Sequence, residues 1–294
     1  MRALKIIVAG GVLVAVAIAT GTGVATAGKS GSAASPKEIQ AKDFDPANFS
    51  RSWVVDNKWF PLEPGTQLVF QGATTEDKER IPHRVIFTVT DLVKDVGGVR
   101  SVVIWDRDYS DGKLVEDELS FMAQDNDGNV WHTGEVPREW EEGKVVASPA
   151  WIAGVKRAKA GIVMRVQPRL GTPSYSQGYA PPPVNWTDRG QVYKLGIKNC
   201  VPVRCYTNVL VTREFNPDEP GKSQLKYYAP GVGNIRVGWL GNDPGKEVLT
   251  LVKIVRLMPV GLAKARAEAL KIEAYAYAKK KAVYGGTKPA ERVS

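Results

Sequence analysis

The residues of this chain best suited to chemistry are carboxylates. Asp106, Asp108, Asp111, Glu116, Asp117 and Glu118 crowd one short stretch. Alternate residues of an extended strand share a face, so Asp106 and Asp108 project together, as do Glu116 and Glu118. A hairpin turning at Asp111-Gly112 brings the two pairs side by side. Grouped carboxylates can act as general acid and base or hold a hard divalent cation, and Asp106, Asp108, Glu116 and Glu118 are therefore the candidate ligands of a metal-assisted hydrolase. Arg107 and Lys113 stand ready to neutralise them instead, which would leave a solvated hairpin end. Asp125-Asn126-Asp127-Gly128-Asn129 opens like a calcium loop, but the twelfth position is Val136 and Glu135 falls one place early. Asp-Gly is equally a two-residue hairpin turn. His83 and His132 are the two histidines. Ser174 and Ser176 lie outside any G-x-S-x-G turn, and no phosphate-binding, dinucleotide, zinc or haem motif occurs. The sequence thus leans away from an enzyme and implies no cofactor.

The aromatic residues offer a different chemistry. Trp105, Trp131, Trp151, Tyr227 and Trp239 fall on or near expected strands. In a wide barrel they would line an apolar ligand pocket, and in a narrow one they would be core. Cys200 and Cys205 flank four residues, a spacing that suits a structural disulfide clip better than a redox pair.

Charge and targeting bound the partners. The net charge is +9, but residues 259–294 carry eight basic and three acidic side chains, and Arg2 and Lys5 add two more positive charges. The remaining body is close to neutral, which argues against nucleic acid. Arg2 and Lys5, the apolar run Ile6 to Ala19 and Ala25-Thr26-Ala27 make a secretory signal peptide over 1–27, cut near Ala27. A Gly/Ser/Ala-rich leader follows over 28–50. The expected location is secreted or extracytoplasmic.

These residues are to be positioned by strands. Segments rich in β-branched and aromatic residues recur from Val85 to Thr133 and again from Gln191 to Leu257, separated by turns such as Asp111-Gly112 and Pro230-Gly231. The absence of crossover helices makes the sheet antiparallel. The fold class is mainly β: a curved sheet or half-barrel built from two β-meanders within 51–258. Segments 84–134 and 191–240 match at a near-constant offset and read as repeats, with 135–190 as an apolar connection. Pro259 opens a basic helical tail over 259–294, whose alanine-rich composition favours helix. Its Lys279-Lys280-Lys281 run complements the helix dipole and also suits an anionic lipid surface or envelope polymer.

Trp59-Phe60-Pro61-Leu62 with Pro64-Gly65-Thr66, Ala123-Gln124-Asp125 with Gly128-Asn129-Val130-Trp131 and Gly134-Glu135, and Tyr227-Tyr228-Ala229-Pro230-Gly231-Val232-Gly233 form a set. Over residues 53–257 this set resembles an uncharacterised family of secreted bacterial β-rich proteins. His132 departs from the aromatic expected after Trp131, and the tail lies outside the likeness. The resemblance implies no activity and no catalytic residues. The functional expectation is a secreted, non-enzymatic protein that binds a small apolar molecule in its concave face or serves as an envelope interaction module.

Overall fold

Alternation of apolar and polar residues, broken by Gly-containing turns, sets the strands. A computed structural model describes residues 44–293. The expected signal peptide and most of the leader lie outside the described residues. The first half forms β1 (Thr66–Glu76), β2 (Glu79–Val96), β3 (Val99–Ser110), β4 (Lys113–Gln124) and β5 (Val130–Glu141). The connection contributes short strands: β6 (Lys144–Ala147), β7 (Trp151–Ile152), β8 (Lys159–Met164), β9 (Tyr175–Ser176) and β10 (Gly178–Tyr179). The second half forms β11 (Arg189–Val201), β12 (Arg204–Phe215), β13 (Lys222–Ala229), β14 (Gly233–Gly241) and β15 (Val248–Arg256). Helices α1 (Pro259–Lys279) and α2 (Lys281–Tyr284) and strand β16 (Glu291–Arg292) complete the chain.

All main strands join one open antiparallel sheet of order β10-β8-β5-β4-β3-β2-β1-β15-β14-β13-β12-β11-β9. Two meanders, β2 to β5 and β11 to β15, meet through β1, which pairs with both β2 and β15. So many twisted strands cannot remain flat. The two edge strands, β9 and β10, are separated only by Gln177, so the sheet curls until its ends reach the same stretch of chain. Glycine is required at this seam: a Cβ on Gly161 would fall 2.0 Å from the Gly178 backbone nitrogen. Cys200 and Cys205 are joined by a disulfide across the β11–β12 hairpin.

The concave side is plugged. Residues from the first motif, Trp59, Phe60 and Leu62, enter an apolar core with Phe70, Phe87, Tyr228 and Leu251. Phe60 packs edge-on against Phe87 of β2 and Tyr228 of β13, which three other strands separate in the sheet order. The motif segments also bond to one another. Gly231 donates its backbone N–H to the Lys58 carbonyl at 2.8 Å, and Asn57 donates to the Gln124 side chain at 2.8 Å.

The basic tail is docked on the sheet rather than trailing from it. Ala265 on α1 is buried, and Ala269, Ile272 and Ala276 join the second core cluster, beside Leu92, Leu119 and Phe121 of β2 and β4. Alanine at these positions lets the helix backbone approach closely, which is how a weakly amphipathic helix still buries a face. The latch is ionic. Fully buried Lys94 of β2 pairs with Glu273 at 2.8 Å and donates to the Tyr277 hydroxyl at 3.0 Å. Glu273 accepts from Ala290 N–H at 2.9 Å, and β16 pairs with the edge of β2.

Candidate functional site

Two regions hold buried polar groups without partners together with unbalanced charge: the enclosed interior and a groove on the outside. The interior is acidic beyond the apolar plug. Asp106, Asp108, Glu116 and Glu118 are all buried, and the register sets Asp106 opposite Glu118 and Asp108 opposite Glu116. The structure thus brings these four together, but it does not make a solvated hairpin end. Curling adds groups from distant strands. His83 on β2 bonds to Asp108 and lies 2.9 Å from Glu247. Lys226 on β13 pairs with Glu214 on β12 at 2.7 Å and lies close enough to stabilise charge on Asp106 and Glu118 of the opposite wall. Glu135 and Asp188 complete the acidic lining; burial first, then the charge of Glu118 on Glu135 and of Glu214 on Asp188, push both carboxyl groups up.

Acids so outnumber cations that protons must balance the charge. Burial first, and Asp108 second, raise Asp106 to about 7. Burial raises Asp108 to about 6 against the pull of His83, and burial with Asp106 raises Glu118 to about 8. Glu116 is also raised, by burial and then by Glu118. Burial opposes charge on His83, but its bonds to Asp108 and Glu247 win and lift it to about 10. His132 lacks such a carboxylate bond, and burial lowers it to about 3. Asp106 Oδ2, Asp108 Oδ2 and Glu118 Oε1 have no hydrogen-bond partner among the described residues.

The cavity beside the plug is small and none of the four acids lines it. Bounded by Phe60, Phe87, His132, Gln177, Glu214 and Lys226 among others, it measures about 30 Å³. That is roughly the space one water takes in the liquid. Among the described residues, no three His, Cys, Asp or Glu side chains converge in a way that could hold a metal ion. The loop at Asp125 is a turn whose carboxylate is spent locally, on Asn129 N–H at 2.7 Å and Trp131 Nε1 at 2.7 Å.

The five aromatic candidates do not line one cavity: Trp131 and Trp151 belong to the second core cluster with Trp105 packed against it, while Tyr227 packs against the first. Trp131 lies edge-on to Phe44 at 5.3 Å. Trp105 stacks under Arg107, Tyr227 lies under Arg236, and Trp239 is 38% exposed. Strand parity explains this: Trp105 alternates with Asp106, and Tyr227 with Lys226 and Tyr228, whose side chains take the inward positions. Of the five, Trp151 lines the cavity on the outside.

That cavity is the groove. It measures about 390 Å³ and runs between the loops 147–158 and 180–184 and the end of the tail helix. Ala150, Trp151, Val155, Ala158, Pro182 and Val283 contribute apolar walls. Its volume falls within the range of small-molecule sites. Lys156, Lys279 and Lys280 rim it, against a single acid, Glu139. Burial lowers the Lys280 ammonium and raises the Glu139 carboxyl. Ser148, also on the lining, has a buried hydroxyl without a partner among the described residues. The sequence marks the connection and the lysine run separately, but nothing local to either shows that they meet.

No family model matches the chain, and no curated protein matches it. Among solved structures, one described as a "putative exported protein with YmcC-like fold" from Bacteroides fragilis is 15% identical, with a TM-score of 0.38 over 67% of this chain and 99% of that one. A "putative lipoprotein" from Parabacteroides distasonis is 13% identical, with a TM-score of 0.39 over 68% of this chain and 99% of that one. At these scores the likeness assigns no function to the chain. Among the described residues, no helix is long and apolar enough to cross a membrane.

Proposed function

We propose that this protein is an exported, non-enzymatic binding module that takes a small, largely apolar ligand in the outer groove rather than in its concave face. The observation that carries this reading is one of space. The groove offers about 390 Å³ with apolar walls, while the concave interior, filled by Trp59, Phe60 and Leu62, retains about 30 Å³. Burial of the carboxylates without a substrate-sized opening weighs against hydrolysis at Asp106, Asp108, Glu116 and Glu118. Export rests on the signal peptide read over 1–27. The tail then contributes to the site as its wall, not as a free basic tether.

Native mass spectrometry of protein purified from its host tests the reading. The wild type is expected to carry a mass that organic solvent extracts. Val283→Asp, which places a charge on the apolar wall at a half-buried position, is expected to lack it while keeping its melting temperature. Bare wild-type protein that also fails to bind added decanol in calorimetry would overturn the proposal.

A further inference from the structure

Resting on that reading, we infer that the groove's ligand is a free, single-chain amphiphile with an anionic head, whose chain lies on the Trp151, Ala158 and Val283 walls and whose head meets Lys279, Lys280 and Lys156. Three observations point this way. First, the charge on the lining is unbalanced. Three lysines face one carboxyl group, and among the described residues none of the three has an ion-pair partner. Lys156 and Lys279 are exposed and Lys280 is half-buried; elsewhere the fold pairs its less exposed lysines, Lys94 with Glu273 at 2.8 Å and Lys226 with Glu214 at 2.7 Å, so Lys280 is the exception. Second, the Ser148 hydroxyl lining the groove is 6% exposed as a residue and makes no hydrogen bond. A buried hydroxyl left unpaired costs free energy, and an anionic oxygen would remove that cost. Third, Lys280 is partly withdrawn from water, which lowers its ammonium, and an anion in the groove would offset that desolvation.

Lysine offers a point charge rather than a planar fork, so a carboxylate and a phosphate are both acceptable heads. Glu139, whose carboxyl burial already raises, is the one repelling group, and it sets the head toward the tail lysines. Walls on both sides, from the connection and from the tail, favour a monomer drawn out of solution over a bilayer surface.

The test is calorimetric titration with decanoate, decyl phosphate and neutral decanol, each below its micelle-forming concentration, and with vesicles of anionic phospholipid. The wild type is expected to bind both anions about tenfold more tightly than decanol. The triple variant Lys156→Gln, Lys279→Gln, Lys280→Gln is expected to lose that difference while still binding decanol. Ser148→Ala is expected to weaken the anions several-fold and decanol not at all. Equal affinity for decanol and decanoate would overturn the anionic assignment and leave the groove as a ligand site. Failure of all three amphiphiles in a folded wild type would overturn both. Binding to vesicles but not to monomers would overturn the monomer assignment in favour of a surface.

Discussion

The enclosed interior and the outer groove both leave polar groups short of partners, yet they resolve the shortage differently. The interior is sealed, so the only species that can reach Asp106, Asp108 and Glu118 readily is the proton, and their carboxyl groups are raised accordingly. The groove is open, and its surplus lysines can be matched by a solute. Access, more than the density of charged side chains, separates a structural cluster from a candidate site. The most acid-rich stretch of the sequence became wall material, and two loops of the connection became walls of the proposed site.

The sharpest way to break the comparison is through the latch that holds the tail. Glu273→Ala leaves Lys94 buried without its carboxylate partner, which typically costs about 3–5 kcal/mol. Denaturant unfolding should show that loss. Limited proteolysis should release the tail, and groove binding should vanish with it. Lys226→Met is its interior counterpart. It should cost about 3 kcal/mol by exposing Glu214 to an uncompensated burial, while the folded fraction still binds in the groove. Loss of groove binding in folded Lys226→Met protein would merge the two regions into one.

The pH dependence should follow the interior. Asp106, Asp108 and Glu118 have raised pKa values, so the folded state holds protons that the unfolded state has already released. His83 behaves the same way between 6.5 and about 10. Their contributions are fully present at low pH and are lost as pH climbs through about 6 to 10. His132 works in the opposite sense: lowered from 6.5 to about 3, it penalises the fold as pH falls through that window. Melting temperature should therefore peak in mildly acidic buffer and fall toward pH 9. Glu118→Gln should flatten that fall and recover at least about 1.4 kcal/mol at pH 9, the worth of one pKa unit. A flat profile in the wild type would mean that the interior acids are solvated. The smallest effect is expected at Trp239, 38% exposed on β14. Trp239→Ala should change stability by no more than about 0.5 kcal/mol and leave groove affinity untouched.

Much of this protein was legible from its residues. β-Branched runs between Gly-containing turns specify antiparallel strands, but the pairing of Asp106 with Glu118 also needs the bulge between Asp108 and Tyr109, since the turn's own register would set Asp106 opposite Asp117. Pro259 and the alanine-rich run specify a helix, and the Cys200–Cys205 spacing specifies a hairpin clip. These are local properties, decided by backbone preference and by the period of side chains along a strand. Only the tertiary structure decided which face of each strand turned inward, that β1 joins the two meanders, and that the Trp59-Phe60-Pro61-Leu62 segment fills the space expected to receive a ligand. It also decided that Glu273 would find Lys94, and so where Lys279, Lys280 and Val283 would come to rest beside Trp151. The reason is that burial is collective: curling one sheet through its accumulated twist fixes at once what is enclosed and what is left at the rim, and no single segment carries that information.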